Sequence, residues 1–246
     1  MSQMQWSTAV ETIRPHVVRI STPRGSGTGF LISNGKKSAV CGIATAAHVI
    51  DQAHYWEEPI RIDHLDSGKS VVARRDERAV FLDEARDTAA VLFQRADLPF
   101  PADPLGLAPK DMFLKVGKDI AWLGFPAIPT AGLCFFTGNV SAWIGDQRAY
   151  LVDGVAINGV SGGPAFHVGP QNLVVVIGVV SAYVPNRATG EVLPGLSVVR
   201  DVSQFHDLAP RFASLDQARS AEAPAEPPPP SPDVEGLADT LAKRSF

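Results

Sequence analysis

From residue 17 to residue 199 the chain is divided into short runs of β-branched and other apolar residues, separated by Gly, Pro and Asn. Such runs, bounded by turn signals, read as strands. Val17-Val18-Arg19-Ile20 is the first. Phe30-Leu31-Ile32 leads to a second, and residues 39–44 form a third after the hairpin signal Asn34-Gly35. Gly25-Ser26-Gly27-Thr28-Gly29 between them reads as a flexible turn. Further runs lie at residues 60–62, 70–73, 79–81 and 89–93. Pro99, Pro101, Pro104 and Pro109 then crowd a connection between two halves, about 15–100 and about 112–203. The second half supplies runs at 120–124, 133–140, 149–152 and 174–180, with a last pair at Val192-Leu193 and residues 196–199. Many short strands of this kind indicate an all-β barrel or sandwich.

Helices are expected only at the ends. Residues 7–14 form one, with Ser7 or Thr8 as N-cap and Pro15 disfavouring helix at Arg14. Val202-Ser203-Gln204-Phe205 opens another. After about Pro210 the composition changes: residues 221–232 are rich in Ala, Glu and Pro, and positions 227–230 are four consecutive prolines. Such a segment favours extended polyproline II and does not pack as a domain. The expected division is therefore a domain over 1–210 and a tail over 211–246. In the tail Val234, Leu237, Leu241 and Phe246 recur at roughly helical spacing. A short helix docking on a protein partner and plain disorder are both open readings there.

Charge and composition exclude several classes. A net charge of −4 gives no basic field for nucleic acid. The most apolar run, 173–180, is far too short for a bilayer. The N-terminus has neither a basic start nor a following apolar block, so no secretory signal and a cytoplasmic location are expected. Cys41 and Cys134 each sit in an apolar run and read as buried free thiols. No metal or cofactor is expected, because His16, His54, His64, His167 and His206 form no ligand spacing with cysteine or acid.

The chemistry concentrates at Gly159-Val160-Ser161-Gly162-Gly163-Pro164. Glycine reaches backbone angles closed to other residues. A turn built this way can aim the N–H groups of Gly159 and Ser161 at one point beside the Ser161 hydroxyl, the layout of an oxyanion hole. A serine nucleophile needs a base, which histidine supplies best near neutral pH. His48, in Thr45-Ala46-Ala47-His48-Val49-Ile50, directly follows an expected strand. The base in turn needs a carboxylate to fix its tautomer. Asp87, immediately before the run at 89–93, fits that role; Asp83 is a nearby competitor, and Asp87 as a simple strand cap is the plainer alternative.

Taken together, Thr45-Ala46-Ala47-His48, Asp87-Thr88-Ala89-Ala90-Val91 and the Ser161 turn resemble the chymotrypsin-like (trypsin-fold) serine peptidases, and most of all their bacterial HtrA/Deg-type members. Residues 11–20 look like the opening helix and strand of that group, and Gly25-Ser26-Gly27-Thr28-Gly29-Phe30 like the turn that follows. Residues 117–126 and 136–141 look like the strands opening its second barrel. The resemblance implies two six-stranded antiparallel β-barrels with short terminal helices and a cleft between them. It implies a serine endopeptidase in which His48, Asp87 and Ser161 form a triad, and Gly159 and Ser161 the oxyanion hole. Ser181-Ala182-Tyr183 would be the edge along which a polypeptide substrate lies.

By the same spacing Val155 falls at the base of the P1 pocket, implying small or medium apolar P1 side chains. Tyr183 stands where many trypsin-like enzymes have glycine and would narrow that pocket. Val160 replaces the commoner Asp or Asn. The usual signal peptide and C-terminal PDZ peptide-binding module are expected to be missing, with the proline stalk in their place. Regulation by a partner or by homo-oligomerisation is the expectation carried over. A catalytically weak protein that keeps the fold for peptide binding or scaffolding is the alternative.

Overall fold

The computed structural model describes residues 3–35, 40–185 and 192–222. Seven strands form the first sheet: β1 Val17–Thr22, β2 Gly25–Asn34, β3 Val40–Thr45, β4 Ile60–His64, β5 Lys69–Ala73, β6 Arg78–Asp83 and β7 Thr88–Gln94. Their order is β5-β4-β1-β2-β3-β7-β6, antiparallel throughout. Six more form a closed barrel in the order β10-β13-β12-β11-β8-β9. They are β8 Asp119–Gly124, β9 Cys134–Ile144, β10 Ala149–Asp153, β11 Pro164–Val168, β12 Val174–Pro185 and β13 Val192–Asp201. This is the chymotrypsin-like architecture, with one difference from the expectation of two closed six-stranded barrels. The first sheet has seven strands and stays open between β5 and β6. A helix, α2 (Ala47–Tyr55), packs against β1, β2, β6 and β7, burying Ala47, Ile50 and Ala53. Arg78 ties the gap, its guanidinium donating to the carbonyls of Ala73 and Ala53, both at 2.8 Å.

Several elements depart from the sequence reading. The Gly25–Gly29 stretch is not a flexible turn but the first half of β2, paired with β1 from Thr22↔Gly25 to Val18↔Gly29. Its glycines serve close packing: a Cβ on Gly27 would lie 2.6 Å from Val49, and one on Gly29 2.7 Å from Ile20. Helix α2 and strand β11 were not expected. The last pair of strands is one continuous β13. Cys134 is free but only half-buried, whereas Cys41 is buried as expected.

The terminal helices cross between the two halves. Helix α1 (Gln3–Ile13) precedes the first sheet but rests on the second barrel, with Trp6 5.9 Å from the rings of both Phe135 and Phe166. That contact extends the helix N-terminally, so Ser7 and Thr8 lie inside it rather than capping it. Helix α3 (Phe205–Glu222) follows the second barrel but packs on the first sheet. Phe212 is buried there, 5.6 Å from the Phe81 ring. Helix α3 continues past residue 210, where the tail is expected to begin. Pro210 sits in the second turn of α3, where its missing N–H removes a single helical bond. The polyproline run and the apolar positions 234–246 lie outside the described residues. No described helix is long and apolar enough to cross a membrane.

Candidate active site

His48 enters the site on the first turn of α2. Ala46, the residue before the helix, offers no side-chain cap. The orphan N–H of His48 is taken instead by the Asp87 carboxylate at 3.0 Å, which thus caps the helix from 39 residues away. The same carboxylate accepts from the ring: His48 Nδ1 lies 2.9 Å from both Oδ1 and Oδ2. Nδ1 therefore carries the proton, and Nε2 is left as the acceptor. Asp87 reaches this position from the β6–β7 turn with φ +49°, a left-handed conformation that Asp tolerates better than most residues.

Asp83 is excluded as the partner. Its carboxylate accepts the Arg86 N–H at 3.0 Å and the Arg86 guanidinium at 3.4 Å, closing the same turn. The second oxygen of Asp87 also accepts the Ser181 hydroxyl, a contact the sequence reading did not anticipate for Ser181. Burial pushes the Asp87 carboxyl upward, but the bonds from His48 and Ser181 outweigh it and hold the group below the ordinary aspartate value. The hydrogen bond to Asp87 raises the His48 pKa above 6.5 against an opposing effect of burial; the charges of Asp87 and Asp51 add to the rise.

Ser161 belongs to the turn that leads into β11. The four successive carbonyls of this turn are all held. That of Asn158 accepts the Ala127 N–H at 2.7 Å, and that of Gly159 accepts Thr28 Oγ1 at 2.8 Å. The carbonyl of Val160 accepts the Gly163 N–H at 3.0 Å, and that of Ser161 accepts the Thr28 N–H at 2.8 Å. In a planar trans peptide the N–H points opposite to the C=O. Holding the Asn158 and Val160 carbonyls thus turns the N–H groups of Gly159 and Ser161 the other way, and neither is used in a hydrogen bond among the described residues. At two positions glycine is required by both backbone angle and space. Gly159 has φ +90°, and a Cβ there would meet the Phe125 carbonyl at 2.3 Å; Gly162 has φ +88°, with the Thr28 carbonyl at 2.0 Å. Val160, unusual by its type, is fully buried and packs over Gly124.

His48, Gly159 and Ser161 line one cleft of about 440 Å³, together with Asn158, Asp51 and Arg24. The Ser161 hydroxyl donates to the Ser181 carbonyl at 3.2 Å, and among the described residues no hydrogen bond joins it to the His48 ring. Beyond Val180, β12 pairs only with β13, leaving the β11 side of Ser181-Ala182-Tyr183 without a strand neighbour among the described residues. The backbones of Ala182 and Tyr183 follow β12, but their side chains lie outside the described part, and with them the expected narrowing by Tyr183. Val155 is half exposed and is not among the residues lining the cleft. No group of three or more His, Cys, Asp or Glu side chains among the described residues is placed to hold a metal ion.

Residues 27–179, well over half of the chain, match the profile of the trypsin-like peptidase domain. The chain belongs to this family. Its class is accordingly that of the serine endopeptidases. Solved structures of similar fold include the Rv3671c protease from M. tuberculosis in its active form, 23% identical, covering 85% of this chain and 86% of that one, TM-score 0.62. Deg5 is 18% identical, with 88% and 98% covered and TM-score 0.63. The HtrA-type protease AlgW, solved with a tripeptide, is 17% identical, with 85% and 64% covered and TM-score 0.62. Comparison with curated proteins by sequence returns no significant match.

Proposed function

We propose that this trypsin-like domain hydrolyses peptide bonds with Ser161 as nucleophile, His48 as general base and acid, and Asp87 as the group that orients and charges-balances the imidazole. Ser161 Oγ attacks the scissile carbonyl carbon while its proton passes to His48 Nε2. The N–H groups of Gly159 and Ser161 hold the oxygen as it becomes negative. His48 then returns the proton to the leaving nitrogen as the C–N bond breaks. Water attacks the acyl-enzyme by the same route and restores Ser161. The observation that carries this reading is His48, bonded through Nδ1 to Asp87, lining the same cleft as Ser161 and Gly159, whose N–H groups are unspent among the described residues.

The substrate in this reading is a polypeptide, laid along the free edge at Ser181-Ala182-Tyr183 as an added strand. A preference for small or medium apolar P1 side chains over Arg or Lys rests on sequence spacing alone, which puts Val155 and no acid at the pocket base, although Val155 does not line the cleft. Attack requires the Ser161 hydroxyl to leave the Ser181 carbonyl and turn toward His48. Control of that step by a partner or by self-association belongs to the proposal. The same hydrogen bond favours a second reading, a peptide-binding protein of low turnover. Hydrolysis of fluorescently labelled casein separates the two: Ser161→Ala and His48→Ala should each lose several orders of magnitude in rate. A Ser161→Ala protein as fast as wild type overturns the peptidase proposal.

A further inference from the structure

The Thr28 side chain is fully buried, and its hydroxyl is bonded on both sides. Oγ1 accepts the Phe125 N–H at 2.9 Å and donates to the Gly159 carbonyl at 2.8 Å. The backbone of Thr28 is equally committed: its N–H goes to the Ser161 carbonyl, and its carbonyl receives Thr45 Oγ1 at 2.7 Å. One residue of β2 therefore joins three segments: the first sheet, the chain leaving β8, and the turn that carries Ser161. Of the four bonds holding the turn's carbonyls, only the one from Thr28 Oγ1 comes from a side chain.

Resting on the peptidase reading above, we infer that Thr28 is a positioning residue for the oxyanion-binding turn, acting through the Gly159 carbonyl. The Gly159–Val160 peptide lies between the two peptides whose N–H groups make no hydrogen bond among the described residues and which the proposed reading assigns to the oxyanion. A hydroxyl locking its carbonyl sets the distance and angle between those donors. With φ at +90°, Gly159 has a wide range of backbone angles open to it, so the turn needs an outside restraint. Thr28 supplies it from the same strand system that leads through β3 to His48. Nucleophile turn and base are thereby held to one frame.

The test compares Thr28→Val, which keeps the β-branched shape and removes the hydroxyl, with Thr28→Ser, which keeps the hydroxyl. With an active wild type, Thr28→Val should lower kcat on a fluorogenic peptide by about tenfold to hundredfold, the cost of misplacing a reacting group by about an ångström. KM should not change, and Thr28→Ser should retain the wild-type kcat. A peptide boronate, which forms a tetrahedral adduct on Ser161, should bind the Val variant more weakly in the same proportion. Binding of an uncleaved peptide in a Ser161→Ala background should be the same with and without Thr28→Val. Should Thr28→Val fail to fold, Thr28→Cys against Thr28→Ser makes the same comparison of a thiol with a hydroxyl at matched size. Wild-type kcat in the hydroxyl-free variant, or equal losses of boronate and ground-state affinity, would overturn the assignment. A wild type whose hydrolysis does not depend on Ser161 would instead overturn the reading of the site, and this inference with it.

Discussion

Replacing Gly159 by alanine adds one methyl group at a point where the turn has no room for it. The new Cβ would lie 2.3 Å from the Phe125 carbonyl oxygen and 2.9 Å from the Ala127 N, both main-chain atoms. Neither can rotate aside as a side chain could, so the turn must move by roughly an ångström or the backbone must leave φ +90°. Keeping the angle costs alanine about 1–3 kcal/mol of strain. Abandoning it rotates the Asn158–Gly159 peptide, breaks the 2.7 Å bond from Ala127, and withdraws the Gly159 N–H from the cleft. Losing one such donor lowers kcat by about 10²–10³. The expected outcome is a folded protein, less stable by about 1–3 kcal/mol in urea, whose kcat on a fluorogenic peptide falls by that factor with little change in KM. Full activity in a Gly159→Ala protein of unchanged stability would refute the claim that this N–H is a working part of the site.

The His48–Asp87 pair predicts a pH signature. His48 must be neutral to act as base and its pKa is raised, so the acid limb of kcat/KM should lie above pH 6.5. Asp87→Asn should move that limb to lower pH and reduce kcat by about 10⁴; a limb unmoved by the substitution counts against the pairing. The sign for stability follows from the same shifts. The raised His48 stabilises the fold below pH 6.5, and that contribution is lost as pH rises through its folded value. The lowered Asp87 contributes above its ordinary 3.8, and that contribution is lost as pH falls through its folded value. The cysteines should differ in reactivity: burial pushes the Cys41 thiol up to about 12, whereas Cys134 is half-buried. Iodoacetamide on the native protein should modify Cys134 first, and early modification of Cys41 would show the first sheet to be more open than described.

The strands and the chemistry-bearing motifs were legible because each is local. β-branched runs announce strands whatever they pair with, and the Ser161 turn is written in consecutive residues. What stayed hidden depends on contacts far along the chain. Helix α2 lacks a side-chain cap of its own because Asp87 caps it from another turn. The glycines at 27 and 29 look like a loop until Val49 and Ile20 are placed against them. β11 begins at Pro164, immediately after two glycines, and so looks like the end of a turn. Pro210 suggests a boundary by its type, but Phe212 finds Phe81 on the first sheet and the helix continues. Asp87 and Asp83 could be separated only by geometry, since each is a carboxylate flanking the same hairpin turn. The roles of Ser181 toward Asp87 and of Thr28 toward Gly159 are likewise tertiary, with no local pattern to mark them.

The most direct measurement is covalent labelling by a fluorophosphonate, which reports a serine activated by its neighbours, followed by intact-mass analysis and peptide mapping. One adduct per chain is predicted, on the Ser161 peptide, absent in Ser161→Ala and strongly slowed in His48→Ala. An adduct on a different residue, or labelling of Ser161 at the same rate without His48, would contradict the account.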